Sequence, residues 1–223
     1  VLASAVNFYG PDVTTKDVTD FYKTKTSPNP DKPLAYGLNS QLVKEDGMVK
    51  ERVYKSGGLY GSAIDEIVTW LEKAKGVAEN EAQGEALGLL IDYYKTGDLQ
   101  TWDDYNVAWT AATEGNIDYI NSFIEVYNDP IGYRGSYENI VQINDFDMSQ
   151  KMAVLSDNAQ WFEDNSPLME DHKKDSVVGI TYKVVNVAGE AGDASPSTPI
   201  GVNLPNSNWI RAAVGSKSVS LGN

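Results

Sequence analysis

Glu125 and Tyr127 stand two positions apart in a segment dense in β-branched and aromatic residues, NVAWTAATEGNIDYINSFIEVYNDP. A carboxylate and a phenol can serve one site only if the backbone aims both the same way. An extended chain would do so. With a period of two, Ile117, Tyr119, Phe123, Glu125 and Tyr127 share one face of a strand, whereas a helix turns Glu125 and Tyr127 about 200° apart. TEGN then reads as the turn of a hairpin. A second polar pair, Asn203 and Asn206, brackets Leu204-Pro205 in IGVNLPN. Pro205 forbids one ladder hydrogen bond, which suits an edge strand.

The remaining composition excludes much chemistry. One histidine and no cysteine remove most such chemistry, since a nucleophilic triad needs an imidazole base and a zinc hydrolase two or three nitrogen or sulfur ligands. The expectation is no metal ligands in this chain and no covalent or zinc chemistry by it alone. His172, inside MEDHKKD, reads as solvent-exposed. NDFDMSQ resembles the start of a calcium loop, but Gln150 stands where glycine is required and Ser156 where a bidentate glutamate belongs. GEAGDASPSTP has glycines but no lysine, so it is no phosphate cradle. Trp102, Trp109, Trp161 and Trp209 read as core residues before they read as a sugar-binding face.

Against 18 basic residues stand 32 acidic ones, a formal charge of -14 that repels phosphate backbones and favours cationic ligands. Nucleic acid is not an expected partner. Nor is a membrane, since no run approaches the roughly 18 apolar residues of a span. The lack of cysteine fits a reducing cytoplasm, the expected compartment. With 41% apolar residues over 223 positions, a real core is expected.

The elements that must position the polar residues are legible in outline. Thr14 or Thr15 caps a short helix through Val18, Phe21 and Tyr22, followed by the proline-rich linker TSPNPDKP. Asp46-Gly47 predicts a type I′ hairpin between Leu42-Val43 and Val49-Val53. Ser62 with Asp65 resembles a capping box opening a helix on Ile64, Ile67, Val68 and Leu71. Another helix runs from about Asn80 to Lys95, burying Ala82, Ala86, Leu89, Leu90 and Tyr93 and stopping at Gly97. A third carries Met152, Leu155 and Phe162, from near Ser149 to before Pro167. VVGITYKVVNVAG predicts a strand through Val177, Val178, Ile180, Val184, Val185 and Val187.

FIEVYNDPIGYRG (123–135), PIGVNLPN (199–206) and the closing VSLGN (219–223) together resemble the dipeptidyl peptidase III family, particularly its bacterial members. A looser likeness runs from about Asn7 to the end. The resemblance implies a two-lobed zinc metallopeptidase that removes dipeptides from the free N-terminus of oligopeptides, with a five-stranded β-barrel beneath the cleft. The family's zinc sits on an HEXXGH helix and a further glutamate. Neither occurs here, and the chain opens without an initiator Met, so it reads as an excised part preceding the metal, with the remainder of the parent as its partner.

Residue by residue, the resemblance implies that Glu125 receives the substrate's terminal ammonium and that Asn203 and Asn206 share that task. One carboxylate and two carbonyl oxygens do match an ammonium with three N–H donors. Tyr127 is implied to stabilise the tetrahedral intermediate, the backbone from Gly201 to Asn203 to hold the peptide by strand addition, and Trp109 to line the cleft. Taken singly, Glu125 reads as a solvated strand-end charge, Tyr127 as a core-edge aromatic and the asparagines as turn formers. Their joint occurrence in order favours the functional reading.

The expected architecture is α+β: a small five-stranded β-barrel or curved mixed sheet with helices outside, residues 1–33 forming a helix and linker and 34–223 the core. The expected function is the peptide-binding portion of such a peptidase, inactive alone. The alternatives are a stand-alone peptide-binding or scaffold domain, and an acidic carbohydrate-active domain with paired carboxylates.

Overall fold

The computed structural model describes residues 2, 5, 7–178, 182–195 and 199–220. Ile180 of the predicted strand, part of the GEAGDASPSTP loop and the last three residues of VSLGN lie outside them.

Thr14 opens helix α1 (Thr15–Lys23) with a complete capping box: its side chain accepts from the Asp17 backbone N–H while Asp17 reaches back to the Thr14 N–H. Strands β1 (Ser40–Glu45) and β2 (Met48–Val53) form the predicted antiparallel hairpin. Its Asp46-Gly47 turn has φ 53° and 78°, the positive pair that a type I′ turn demands. Val18, Tyr22 and Leu42 of these elements bury against Phe8, Tyr9 and Val13 as one cluster.

Helix α2 (Gly61–Lys75) buries Ile64 and Val68, as its period requires, but its start differs from the sequence reading. Tyr60, in left-handed conformation, is the N-cap and makes no side-chain cap bond; Asp65 instead accepts from the Ser56 hydroxyl at 2.5 Å. In α3 (Glu81–Thr96) Asn80 caps the Gln83 N–H and Gly97 ends the helix at φ 72°. Ala86, Leu90 and Tyr93 are buried as predicted, whereas Ala82 is exposed.

The predicted hairpin around TEGN is replaced by a helix followed by a strand. Helix α4 (Leu99–Ala111) takes up NVAWTAA and buries Trp102, Tyr105, Asn106 and Trp109, a 3.6-residue stripe that outweighs the local strand-forming composition. Strand β3 (Ile117–Glu125) pairs forward instead, with β4 (Ser136–Asn144), and β5 (Val185–Gly192) completes a three-stranded antiparallel sheet in the order β3-β4-β5. The third predicted helix is two, α5 (Phe146–Asp157), capped by Asp145, and α6 (Ala159–Asp164). Strand β6 (Gly201–Leu204), a cis Leu204-Pro205 bond, α7 (Asn208–Ala213) and β7 (Lys217–Ser220) close the chain, β6 and β7 pairing antiparallel.

The α+β class holds. Among the described residues the strands divide into two-, three- and two-stranded antiparallel sheets, and no closed barrel or mixed sheet forms. The main core lies between α2-α3-α4 and the three-stranded sheet, built on Leu90, Tyr94, Trp102, Tyr105, Ile120 and Ile140, with Val202 and Leu204 joining from β6.

Candidate functional site

Side-chain alternation would put Glu125 on the same face as Phe123, but a bulge intervenes. Phe123 pairs with Tyr137 and Glu125 with Ser136, so β3 carries one extra residue there. Phe123 stays in the core, its ring 4.7 Å from Tyr54 and 5.7 Å from Tyr137. Glu125 moves to the Ser136 face, which is also that of Glu138 two residues along β4. The single extended face from Ile117 to Tyr127 is therefore corrected: β3 ends at Glu125, and Tyr127 follows in a turn, 86% exposed.

Strand β6 brings up the asparagines. Val202 and Leu204 point into the core while Gly201 and Asn203 face solvent, the alternation of a half-buried strand. One edge of β6 pairs with β7, and no strand among the described residues pairs with the other. Just past the end of β6, the Asn206 Nδ2 donates to both carboxylate oxygens of Glu125, each at 3.2 Å. The Asn206 Oδ1, an acceptor, is then free of that contact.

Two cavities meet here. One, of about 430 Å3, is lined by Glu125, Tyr127, Gly201, Asn203 and Asn206. The other, of about 750 Å3, shares Glu125, Tyr127 and Asn206 and extends to Trp102, Trp109 and Trp209. Five of the six residues singled out from sequence thus border the smaller cavity, and Trp109 borders the larger. Trp109 is buried and fixed: its indole N–H donates to the Asp118 carboxylate at 3.1 Å and the Tyr119 carbonyl at 2.9 Å, with the Lys217 ammonium 4.4 Å from the ring centre.

The motif between the two pockets of chemistry is a scaffold. Asp129, four residues past Glu125, accepts from the Tyr133 and Arg134 backbone N–H groups and from the Tyr9 hydroxyl. Arg134 is fully buried, donates to Gly37 O and Ser40 O, and lies over the Tyr9 and Tyr22 rings. NDPIGYRG thereby anchors the chain leaving Glu125 to the β1-β2 hairpin.

Sequence reasoning did not find Glu138 and Arg211, which line the smaller cavity. Glu138 is 4% exposed, and its carboxyl is pushed up to about 7, first by burial, then by the charges of Glu125 and Asp193. The available signal was its spacing of two from Ile140 on the buried face of β4. Asp103 in the larger cavity is likewise pushed up to about 6 by burial, with the Trp209 indole opposing and Asp104 adding to the shift.

The zinc implied by the resemblance finds no fitting donor set here. Among the described residues no three of His, Cys, Asp and Glu converge as a metal site, and His172 is exposed on a single-turn helix, Glu170–His172. Among the same residues no helix is long and apolar enough to cross a membrane.

Known proteins resemble this chain in sequence and in fold. The solved structure of DPP III from Caldithrix abyssi superposes with a TM-score of 0.77 at 23% identity, covering 98% of this chain and 41% of that one, a likeness of fold. Dipeptidyl peptidase 3 of Nematostella vectensis is 32% identical over 184 residues, 82% of this chain and 25% of its own length. The Homo sapiens protein of the same name is 31% identical over 166 residues, 74% of this chain and 22% of its own. The chain thus spans about a quarter of the curated relatives it matches. A sequence model described as peptidase family M49 matches residues 34–223, and the chain belongs to that family.

Proposed function

We propose that this chain is the part of a dipeptidyl peptidase III-like enzyme that captures the free N-terminus of an oligopeptide, and that it is catalytically silent alone. The observation that carries the reading is the pairing of Asn206 with both oxygens of Glu125 at the mouth of a cavity also lined by Asn203 and Tyr127. A carboxylate held by one amide N–H₂, with amide oxygens beside it, is complementary to an ammonium with three donors. The edge of β6 around Gly201 that pairs with no strand among the described residues supplies backbone groups for an extended peptide, which gives affinity with little sequence preference. Trp109 walls the adjoining cavity.

In this reading Tyr127 has a separate role. Its exposed phenol is an O–H donor for the oxyanion formed when water attacks the second peptide bond. The metal chemistry of the family belongs to residues outside this chain, and the cytoplasm is its proposed compartment. In this reading 34–223 is the peptide-binding core and 1–33 its N-terminal helix and linker.

The test compares tetra-alanine with its N-acetylated form by isothermal titration calorimetry. Glu125→Gln should weaken binding of the free-amine peptide about ten- to a hundredfold, the range of a charge-assisted hydrogen bond, and leave the acetylated peptide unchanged. Equal weakening of both peptides would overturn the reading.

A further inference from the structure

Glu138 occupies an uncommon position for a carboxylic acid. It lies on the central strand of its sheet, 4% exposed, opposite Ser122 on β3 and Gly192 on β5. Neither neighbour helps it. Gly192 has no side chain, and at φ 67° a Cβ there would stand 2.0 Å from the Tyr137 carbonyl oxygen, so glycine is required. Among the described residues the Glu138 Oε2 has no hydrogen-bond partner. A buried acid left unsatisfied by its own sheet costs stability, and this one lines the cavity that Glu125, Asn206 and Tyr127 line.

The β3 bulge makes the relationship specific, since it places Glu125 opposite Ser136, diagonally adjacent to Glu138 on the same face. Other charged groups around Glu138 are Glu190 of β5, opposite Ile140 on this face, Asp193 just beyond β5, and Arg211 of α7 on the cavity wall. Lys217 of β7 is engaged with Asp118 at 2.8 Å. Of the described residues lining that cavity, Glu125 and Glu138 are acidic and Arg211 is basic. A cationic guest there lies beside two carboxyls.

We propose that Glu138 is a second acid of the amine pocket, that it pairs with Glu125 on the incoming ammonium, and that it gives up its proton to solvent as the ammonium arrives. The inference rests on the amine-capture reading above. Only the Glu138 O–H bond breaks, and the guest remains an ammonium throughout. The raised carboxyl of Glu138 is consistent with this: a positive guest stabilises its ionised form, so binding and proton release are linked. The pocket then binds free amino termini better as pH rises from 6 to 8, in contrast to a site built on Glu125 alone.

The experiment titrates tetra-alanine into the unaltered chain and Glu138→Gln at pH 7, in phosphate and in Tris, whose ionisation enthalpies differ. The protonation of the peptide itself cancels in the comparison. The unaltered chain should release about half a proton more than Glu138→Gln, and its affinity ratio between pH 8 and pH 6 should be up to about tenfold larger. Glutamine has the shape of a protonated glutamate, and circular dichroism checks its fold. In the free chain, carbon-13 NMR should show one carboxyl titrating near neutrality that is lost in Glu138→Gln and moves to lower pH in Glu125→Gln. Intact binding with equal proton release in both proteins, or no such carboxyl, overturns the coupling alone. Failure of the unaltered chain to prefer free-amine over acetylated peptide defeats the amine-capture reading, and the coupling with it.

Discussion

Asn206 and Glu125 are 81 positions apart, yet one amide nitrogen of Asn206 donates to both carboxylate oxygens of Glu125 at 3.2 Å. The contact orients both groups: the carboxylate is held from one side, and the amide oxygen is turned away from it. Asn206 is exposed, so its removal should leave the fold intact. Asn206→Ala should weaken binding of a free-amine peptide roughly three- to tenfold, about 1 kcal/mol, the net worth of a hydrogen bond. Calorimetry with free and acetylated peptide checks this, and an unchanged affinity would remove Asn206 from the site.

Arg134 predicts a stability effect far from any ligand. Its guanidinium is fully buried against Gly37 O and Ser40 O, with the Glu51 carboxylate 3.5 Å away. Arg134→Ala leaves those two carbonyls without their donor and removes the buried guanidinium beside Glu51, and should cost on the order of 3–5 kcal/mol. Urea unfolding measures it. A cost below about 1 kcal/mol would mean that NDPIGYRG does not anchor the hairpin.

Asp103 predicts the pH dependence of stability. Its carboxyl is raised to about 6 in the fold from an ordinary 3.8, so the folded state binds more protons than the unfolded one between those values. The contribution of Asp103 to stability should therefore fall as pH rises from about 4 to about 6 and then level off. Asp103→Asn removes that dependence, and its melting temperature relative to the unaltered chain should climb by a few degrees between pH 4 and pH 7. A constant difference across that window would show that Asp103 is not perturbed.

Gly192 should tolerate no side chain. With φ at 67° and a hypothetical Cβ 2.0 Å from the Tyr137 carbonyl oxygen, Gly192→Ala is both strained and clashing. We expect a loss above about 2 kcal/mol in denaturant unfolding, larger than for Gly189→Ala, where a Cβ meets nothing within 4 Å. Because Gly192 pairs with Glu138, the same substitution should also disturb the smaller cavity.

Local signals in the sequence were read well where one element carried its own punctuation. Thr14, Asp46 with Gly47, and Gly97 each sit where a cap, turn or stop is decided by residues a few positions away. The reading failed where a local preference met a tertiary one. NVAWTAA is composed like a strand but folds as part of α4, because Trp102, Tyr105 and Trp109 find a core to fill on one helical face. The partner of β3 was misplaced for the same reason, as pairing depends on which strand can bury its face alongside.

The candidate site divides in the same way. The sequence by itself determined which chemistry was available: an acid, a phenol and two amides, with one histidine and no cysteine to support other reactions. Only the tertiary structure decided how these groups meet. A one-residue bulge in β3 sets the face of Glu125, β6 brings Asn206 onto it from 81 positions away, and burial on β4 turns Glu138 from a surface charge into a group poised near neutrality. Residue type is a property of the chain, but orientation, burial and the field at a carboxyl arise only when distant segments are packed against one another.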